Sequence, residues 1–147
     1  MTNHLIRGAV RVVVGAWVLG VALPAFALDP GQPTVVTPIA STMQTAAGQP
    51  IVLPQKDVRV TASRFEIAPG ATLPVHKHPY QRYAYVLGGT LEVTDLESGD
   101  STTYKAGDFI VEVVNRWHQG KNVGADTVEL IVIDQISGDA QQTILKD

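Results

Sequence analysis

The chain has no cysteine. No disulfide can support its fold, and no thiolate can act as a nucleophile or metal ligand. An excess of positive charge is also missing. The formal net charge is −3, which argues against nucleic acid or an anionic membrane as partner. There is no G-x-G-x-x-G or other phosphate-cradling loop, and Ser63, Ser98, Ser101 and Ser137 stand in no recognisable nucleophile setting, so a hydrolytic triad is not supported. Nor does any stretch after residue 27 carry twelve residues of amphipathic helical pattern, and the apolar run Val12 to Leu23 falls short of the roughly 20 residues that span a bilayer.

That apolar run has another use. Arg7 and Arg11 precede it, Pro24 ends it, and Ala25 to Ala27 place small residues where a signal peptidase reads them. Residues 1–27 are therefore expected to be a signal peptide cleaved before Leu28, giving a periplasmic or secreted product. With no cysteine for lipid attachment, no stable membrane association is expected after cleavage. Removing 27 residues from 147 leaves 120, enough for one domain with its own core. With Arg7 and Arg11 gone, nine Lys and Arg face 14 Asp and Glu, for a net charge of −5.

Residues 28–50 are rich in Pro, Thr, Gln and Ala and are expected to form an N-terminal arm. Residues 51–147 read as an all-β domain. Strands are predicted over 58–67, 72–78, 82–87, 90–96, 101–106, 109–114 and 127–134, each rich in β-branched or aromatic residues and bounded by turn signals. Gly88 and Gly89 are expected to make a hairpin turn. So many short strands predict an antiparallel sandwich or barrel, whose closure protects the strand edges.

Three histidines remain after residue 27: His76, His78 and His118. In a strand, positions i and i+2 share a face, so His76 and His78 project together, about 7 Å apart along the backbone. Imidazoles at that spacing can converge on one ion.

The stretch from Gly70 through "HKHPYQRYAYVLGG" resembles the first motif of the cupin superfamily, G-x5-H-x-H-x3,4-E-x6-G. The stretch from Gly107 to Asn122 resembles the second, G-x5-P-x-G-x2-H-x3-N, agreeing at Gly107, His118 and Asn122 and departing at Val113 and Asn115. The resemblance implies a double-stranded β-helix, a jelly-roll barrel, with a metal in its mouth held by His76, His78 and His118. It implies one divalent transition ion (iron, manganese, nickel, copper or zinc), a small-molecule ligand, and dioxygenase, isomerase or lyase chemistry, the alternative being a non-catalytic binding module. Many such proteins form homodimers, and the arm before Val58 could exchange with a second copy.

One ligand of the pattern is missing. Its glutamate should fall at Arg82 or Tyr83, and an arginine stays protonated with no lone pair to offer. Water or substrate could take the open position, or Gln81 could supply its carbonyl oxygen. The remaining candidate is Glu112, a carboxylate inside the apolar run "FIVEVV", which needs a cation, a metal or an exit to water. Arg82 is the obvious cation, and an Arg82–Glu112 pair at the cavity wall is expected. Such an arginine could also meet an anionic substrate. Tyr83, Tyr85 and Trp117 are candidates for the pocket wall alongside Arg82. Phe65, Leu87, Leu91, Phe109 and Leu130 are assigned to the core, Asn122 to holding a turn, and Asp95 and Glu97 to a solvated turn.

Overall fold

The structure is a computed structural model that describes residues 34–147. The predicted signal peptide lies outside the described residues. Residues Thr37–Asp147 form a compact unit of nine strands: β1 (Val58–Ile67), β2 (His76–Lys77), β3 (Arg82–Gly88), β4 (Thr90–Asp95), β5 (Ser101–Lys105), β6 (Phe109–Val111), β7 (His118–Asn122), β8 (Val128–Ser137) and β9 (Ile144–Leu145). No helix occurs among the described residues.

The strands build two antiparallel sheets, one in the order β1-β8-β3-β6 and one in the order β5-β4-β7-β2-β9. The β8 sequence explains why the first sheet has an inner face: Val128, Leu130, Val132, Asp134 and Ile136 are buried while the residues between them are not. On β3 the inward row is Arg82, Ala84 and Val86. These rows meet Leu91 of β4, Ile110 of β6 and Ile67 of β1 in one core, where each fully buried aliphatic side chain contributes about 1.5–3 kcal/mol. Strand β1 lies at the sheet edge, paired along its whole length with β8 from Val58↔Ser137 to Ile67↔Val128, and most of its side chains remain exposed.

Three departures from the sequence reading have local causes. The predicted strand 72–78 keeps ladder pairing only at His76–Lys77, with single bridges at Thr72 and His78. Pro74 and Pro79 have no N–H to donate, and they confine the regular strand to the space between them. The predicted strand 109–114 ends at Val111 because the arm takes over beyond it: Ala46 N donates to Val111 O at 2.8 Å, and the Gln49 side-chain amide satisfies both Val114 O and Val114 N, at 2.9 and 3.0 Å. The arm segment Thr45–Gln49 is thus bonded to the same chain's β6 edge.

Gly88 and Gly89 do not close a hairpin. They carry the chain from β3 in one sheet to β4 in the other. Gly89 has φ of +79°, and a Cβ there would lie 2.7 Å from Thr127 O and Val128 Cα, so the corner admits no side chain. Of the residues assigned to the core, Leu91 and Leu130 are buried and Phe65 packs against it half-buried. Leu87 and Phe109 are exposed: both lie on the outer side of the strand alternation.

Candidate metal centre

Strand pairing assembles the three histidines. His76 of β2 stands directly opposite His118 of β7. His78, two residues on, makes a parallel bridge to Val114, just past β6. The ring centroids form a near-equilateral triangle with sides of 4.4, 4.8 and 4.9 Å, and one ligating nitrogen from each ring lies within 4.8 Å of the others. All three side chains are buried.

Backbone carbonyls orient each ring. His76 Nδ1 lies 2.8 Å from Pro74 O, His78 Nδ1 lies 3.0 Å from Gln142 O, and His118 Nδ1 lies 2.9 Å from Arg116 O. A carbonyl only accepts, so each Nδ1 holds the proton and donates. In the neutral ring, that leaves the Nε2 lone pair for a metal. His118 Nε2 is buried and, apart from a Glu112 carboxylate oxygen 3.5 Å away, meets no polar partner among the described residues, as a ligand position would. Burial lowers the pKa of His76 to about 4, outweighing the Pro74 carbonyl, and keeps this ring neutral near pH 7.

Glu112 faces the same centre. Its Oε2 lies 3.1 Å from His78 Nε2 and 3.5 Å from His118 Nε2. Burial would raise its pKa, but the two imidazoles and the nearby Arg82 charge outweigh burial and hold the carboxyl well below the usual range, so it is ionised. For His118 burial likewise lowers the pKa, while the Glu112 carboxylate and the Arg116 carbonyl prevail and raise it. The donor set of three imidazoles and one carboxylate fits a divalent transition ion.

The expected Arg82–Glu112 pair does not form. Arg82 instead pairs with Asp134, Nε to Oδ1 at 2.7 Å and Nη2 to Oδ2 at 3.2 Å, with both side chains buried. The register places the two residues directly opposite each other on β3 and β8. Asp134 was missed in the sequence, although it falls in phase with Val128, Leu130 and Val132, and an acid in step with a buried row needs a partner.

Gln81 is buried, but its Nε2 donates to Arg82 O and Glu112 O at 2.9 and 3.0 Å, tying β3 to the chain beyond β6. Its carbonyl oxygen, the atom offered as a ligand, is buried with no hydrogen-bond partner among the described residues, while Glu112 and not Gln81 is the side chain that comes within 3.5 Å of two of the imidazoles. The three aromatic candidates lie outside the lining of the cavity. Because Arg82 and His118 point inward, Tyr83, Tyr85 and Trp117 fall out of phase with them. Tyr83 stacks on Phe109 at 5.9 Å, and Trp117 packs under the ammonium groups of Lys77 and Lys146 at 4.7 and 5.9 Å. Asp95 and Glu97 are not merely solvated, since Arg116 lies 2.8 Å from Asp95 and 3.6 Å from Glu97. Asn122 does hold a turn: its buried amide donates to Ile67 O and Asp126 O, both at 2.8 Å, and accepts from Gly124 N at 2.9 Å.

Residues 63–134 match the family model of the cupin domain. The protein carries a cupin domain. Solved cupin-fold structures resemble it. The polyketide cyclase RemF from Streptomyces resistomycificus is 17 % identical, over 67 % of this chain and 70 % of that one, with a TM-score of 0.52. An uncharacterised double-stranded β-helix protein from Klebsiella pneumoniae is 22 % identical over 78 % and 98 % of the two chains, with a TM-score of 0.49. An oxalate oxidase is 28 % identical over 58 % of this chain, which spans only 45 % of that protein, with a TM-score of 0.49. These likenesses are of fold. No curated protein matches the chain. Within the cupin pattern, the place of the acidic ligand is held by Arg82, and a carboxylate reaches the histidines from Glu112 instead.

Proposed function

We propose that the protein is an exported metal-dependent cupin that binds one divalent transition ion and acts on a small organic ligand beside it. His76, His78 and His118 would hold the ion, and Glu112 would supply the carboxylate that the cupin pattern places at Arg82. The observation that carries this reading is the common orientation of the rings, each with Nδ1 on a carbonyl and with its ligating nitrogen turned to one centre. Surface histidines have no reason to share that tautomer.

A bound ion of this kind supplies Lewis acidity, and a redox-active one also supplies electron transfer. The protein's own contribution is a mostly apolar cavity wall. Phe65, Leu73, Leu91, Ile110 and Val132 line the cavity beside His76, Arg82, Glu112 and His118. In such surroundings the fixed charges of Arg82 and Glu112 act on a ligand more strongly than they would in water. Dioxygenase, isomerase and lyase chemistry all suit such a site. A binding module without turnover is the second reading, favoured by the small size of the cavity, about 40 Å³. Export rests on the pattern of Arg7, Arg11, Val12 to Leu23 and Ala25 to Ala27.

Elemental analysis of protein purified without chelator tests the reading, beside a His76→Ala/His78→Ala variant. About one equivalent of a single transition metal in the wild type, absent from the variant, is the expected result. No metal in either, after reconstitution with several ions, would reject it.

A further inference from the structure

Arg82 uses only part of its donor capacity. Nε and Nη2 are committed to Asp134, and Nη2 also reaches Thr143 Oγ1 at 3.2 Å. Among the described residues, Nη1 meets only His78 Nε2, at 3.3 Å. That nitrogen is a metal ligand in the reading above, and a lone pair given to an ion can no longer accept from Nη1. The arginine is only 5 % exposed and lines the cavity, so its Nη1 donors are then left without an acceptor, which is costly for a buried charged group.

The charges point the same way. A divalent ion and Arg82 bring three positive charges to the buried cluster, while Glu112 and Asp134 bring two negative ones. One positive charge is left over, and a monoanion would compensate it. The cavity of about 40 Å³ has room for roughly three waters, which limits it to a head group. Beside it opens a groove of about 220 Å³ that shares Phe65, Leu73, His76 and Arg82 with the cavity and continues along Pro74 and Leu145. Its walls are mainly hydrocarbon.

We propose that the site binds a monocarboxylate with a short apolar tail, the carboxylate seated between the three histidines and Arg82 Nη1 and the tail lying in the groove along Phe65, Leu73 and Leu145. The inference rests on the metal reading of the site. A carboxylate offers two oxygens in one plane, one for the ion and one for the guanidinium, with a single charge. Inorganic phosphate carries more charge and no tail.

The test is calorimetric titration of zinc-loaded protein, its metal content measured first, with acetate, butanoate, hexanoate and inorganic phosphate. Affinity is expected to rise by about fourfold per methylene until the groove is filled, with phosphate weaker than hexanoate. The variant Arg82→Gln/Asp134→Asn removes both charges of the pair and is expected to keep its zinc while losing tenfold or more of the hexanoate affinity. Should that variant fail to fold, Arg82→Lys serves: one ammonium cannot hold Asp134 and the head group together, and the same loss is expected. Loaded protein that binds no carboxylate, binds all three alike, binds phosphate more tightly than hexanoate or is indifferent to change at Arg82 would overturn the inference and leave the metal reading standing. Protein that takes up no zinc would overturn both, and the metal measurement would reveal this before any titration.

Discussion

Arg82 and Asp134 face each other across β3 and β8 as a bidentate ion pair, with 6 % and 5 % of their side chains exposed. The pair occupies the inward rows of two core strands, where neither charge is exposed to bulk water. Replacing Asp134 with Ala leaves a guanidinium buried and uncompensated. Denaturant unfolding of Asp134→Ala is expected to show a loss of about 3–5 kcal/mol. Arg82→Gln/Asp134→Asn should recover much of it, because no lone charge remains. A loss under 1 kcal/mol in the single variant would mean that the pair is more solvated than its geometry allows.

Glycines at two corners separate backbone strain from steric exclusion. Gly89 and Gly99 have nearly the same φ, +79° and +80°, but a Cβ on Gly99 meets nothing within 4 Å while one on Gly89 runs into Thr127 O and Val128 Cα. Gly99→Ala should cost about 1–2 kcal/mol, the price of a left-handed residue with a side chain. Gly89→Ala should cost at least about 2 kcal/mol more, since backbone atoms of β8 have to move. Equal melting temperatures for the two variants would show that the corner can relax.

The sheet architecture was legible because the strands are short runs rich in β-branched or aromatic residues set between turn signals, and both are properties of sequence. The histidine triangle was legible because i and i+2 share a face and because the spacing to His118 follows a family pattern. Which cation met which anion was not legible. Glu112 and Arg82 stand near each other, but the register of β3 against β8 decides the pairing in favour of Asp134, and register is a long-range property. The aromatics misled for a simpler reason. Tyr83 and Tyr85 share a face, as read, but the face is fixed by whichever of positions 82 and 83 turns inward, and Arg82 does. Gln49 and the arm could not be read as a substitute for a β6 partner, because a side-chain amide that mimics a strand leaves no periodic mark.

The protonation of His76 gives the apo protein a pH signature. Its folded pKa of about 4 lies below the ordinary value of 6.5, so between those limits the unfolded chain binds more protons at this residue than the folded one. Stability contributed by the neutral ring is therefore present above pH 6.5 and is lost as the pH falls towards 4. Chelator-treated wild type should lose unfolding free energy through that window faster than His76→Asn does. Glu112 and His118 are common to both proteins, so the difference between the two curves reports His76 together with its coupling to these neighbours. Parallel curves would place its pKa near the ordinary value and its ring in water.

Glu112 is the residue on which the metal reading departs from the family pattern, and Glu112→Gln tests that departure with little change in shape. If the carboxylate belongs to the coordination set, or only steadies His78 and His118 at 3.1 and 3.5 Å, the amide should weaken metal binding by about 10–100-fold. Competition against a chelator of known affinity measures this directly. In the apo protein the carboxylate raises the pKa of His118, so its loss lets that proton leave more easily and removes some proton competition with the metal. In either role the deficit in Glu112→Gln should therefore shrink as the pH falls from 8 to 6, and a deficit that grows instead would show that the carboxylate does not hold the His118 proton. Unchanged affinity in the variant would leave the ion to three histidines alone and return Glu112 to the role of a counter-charge.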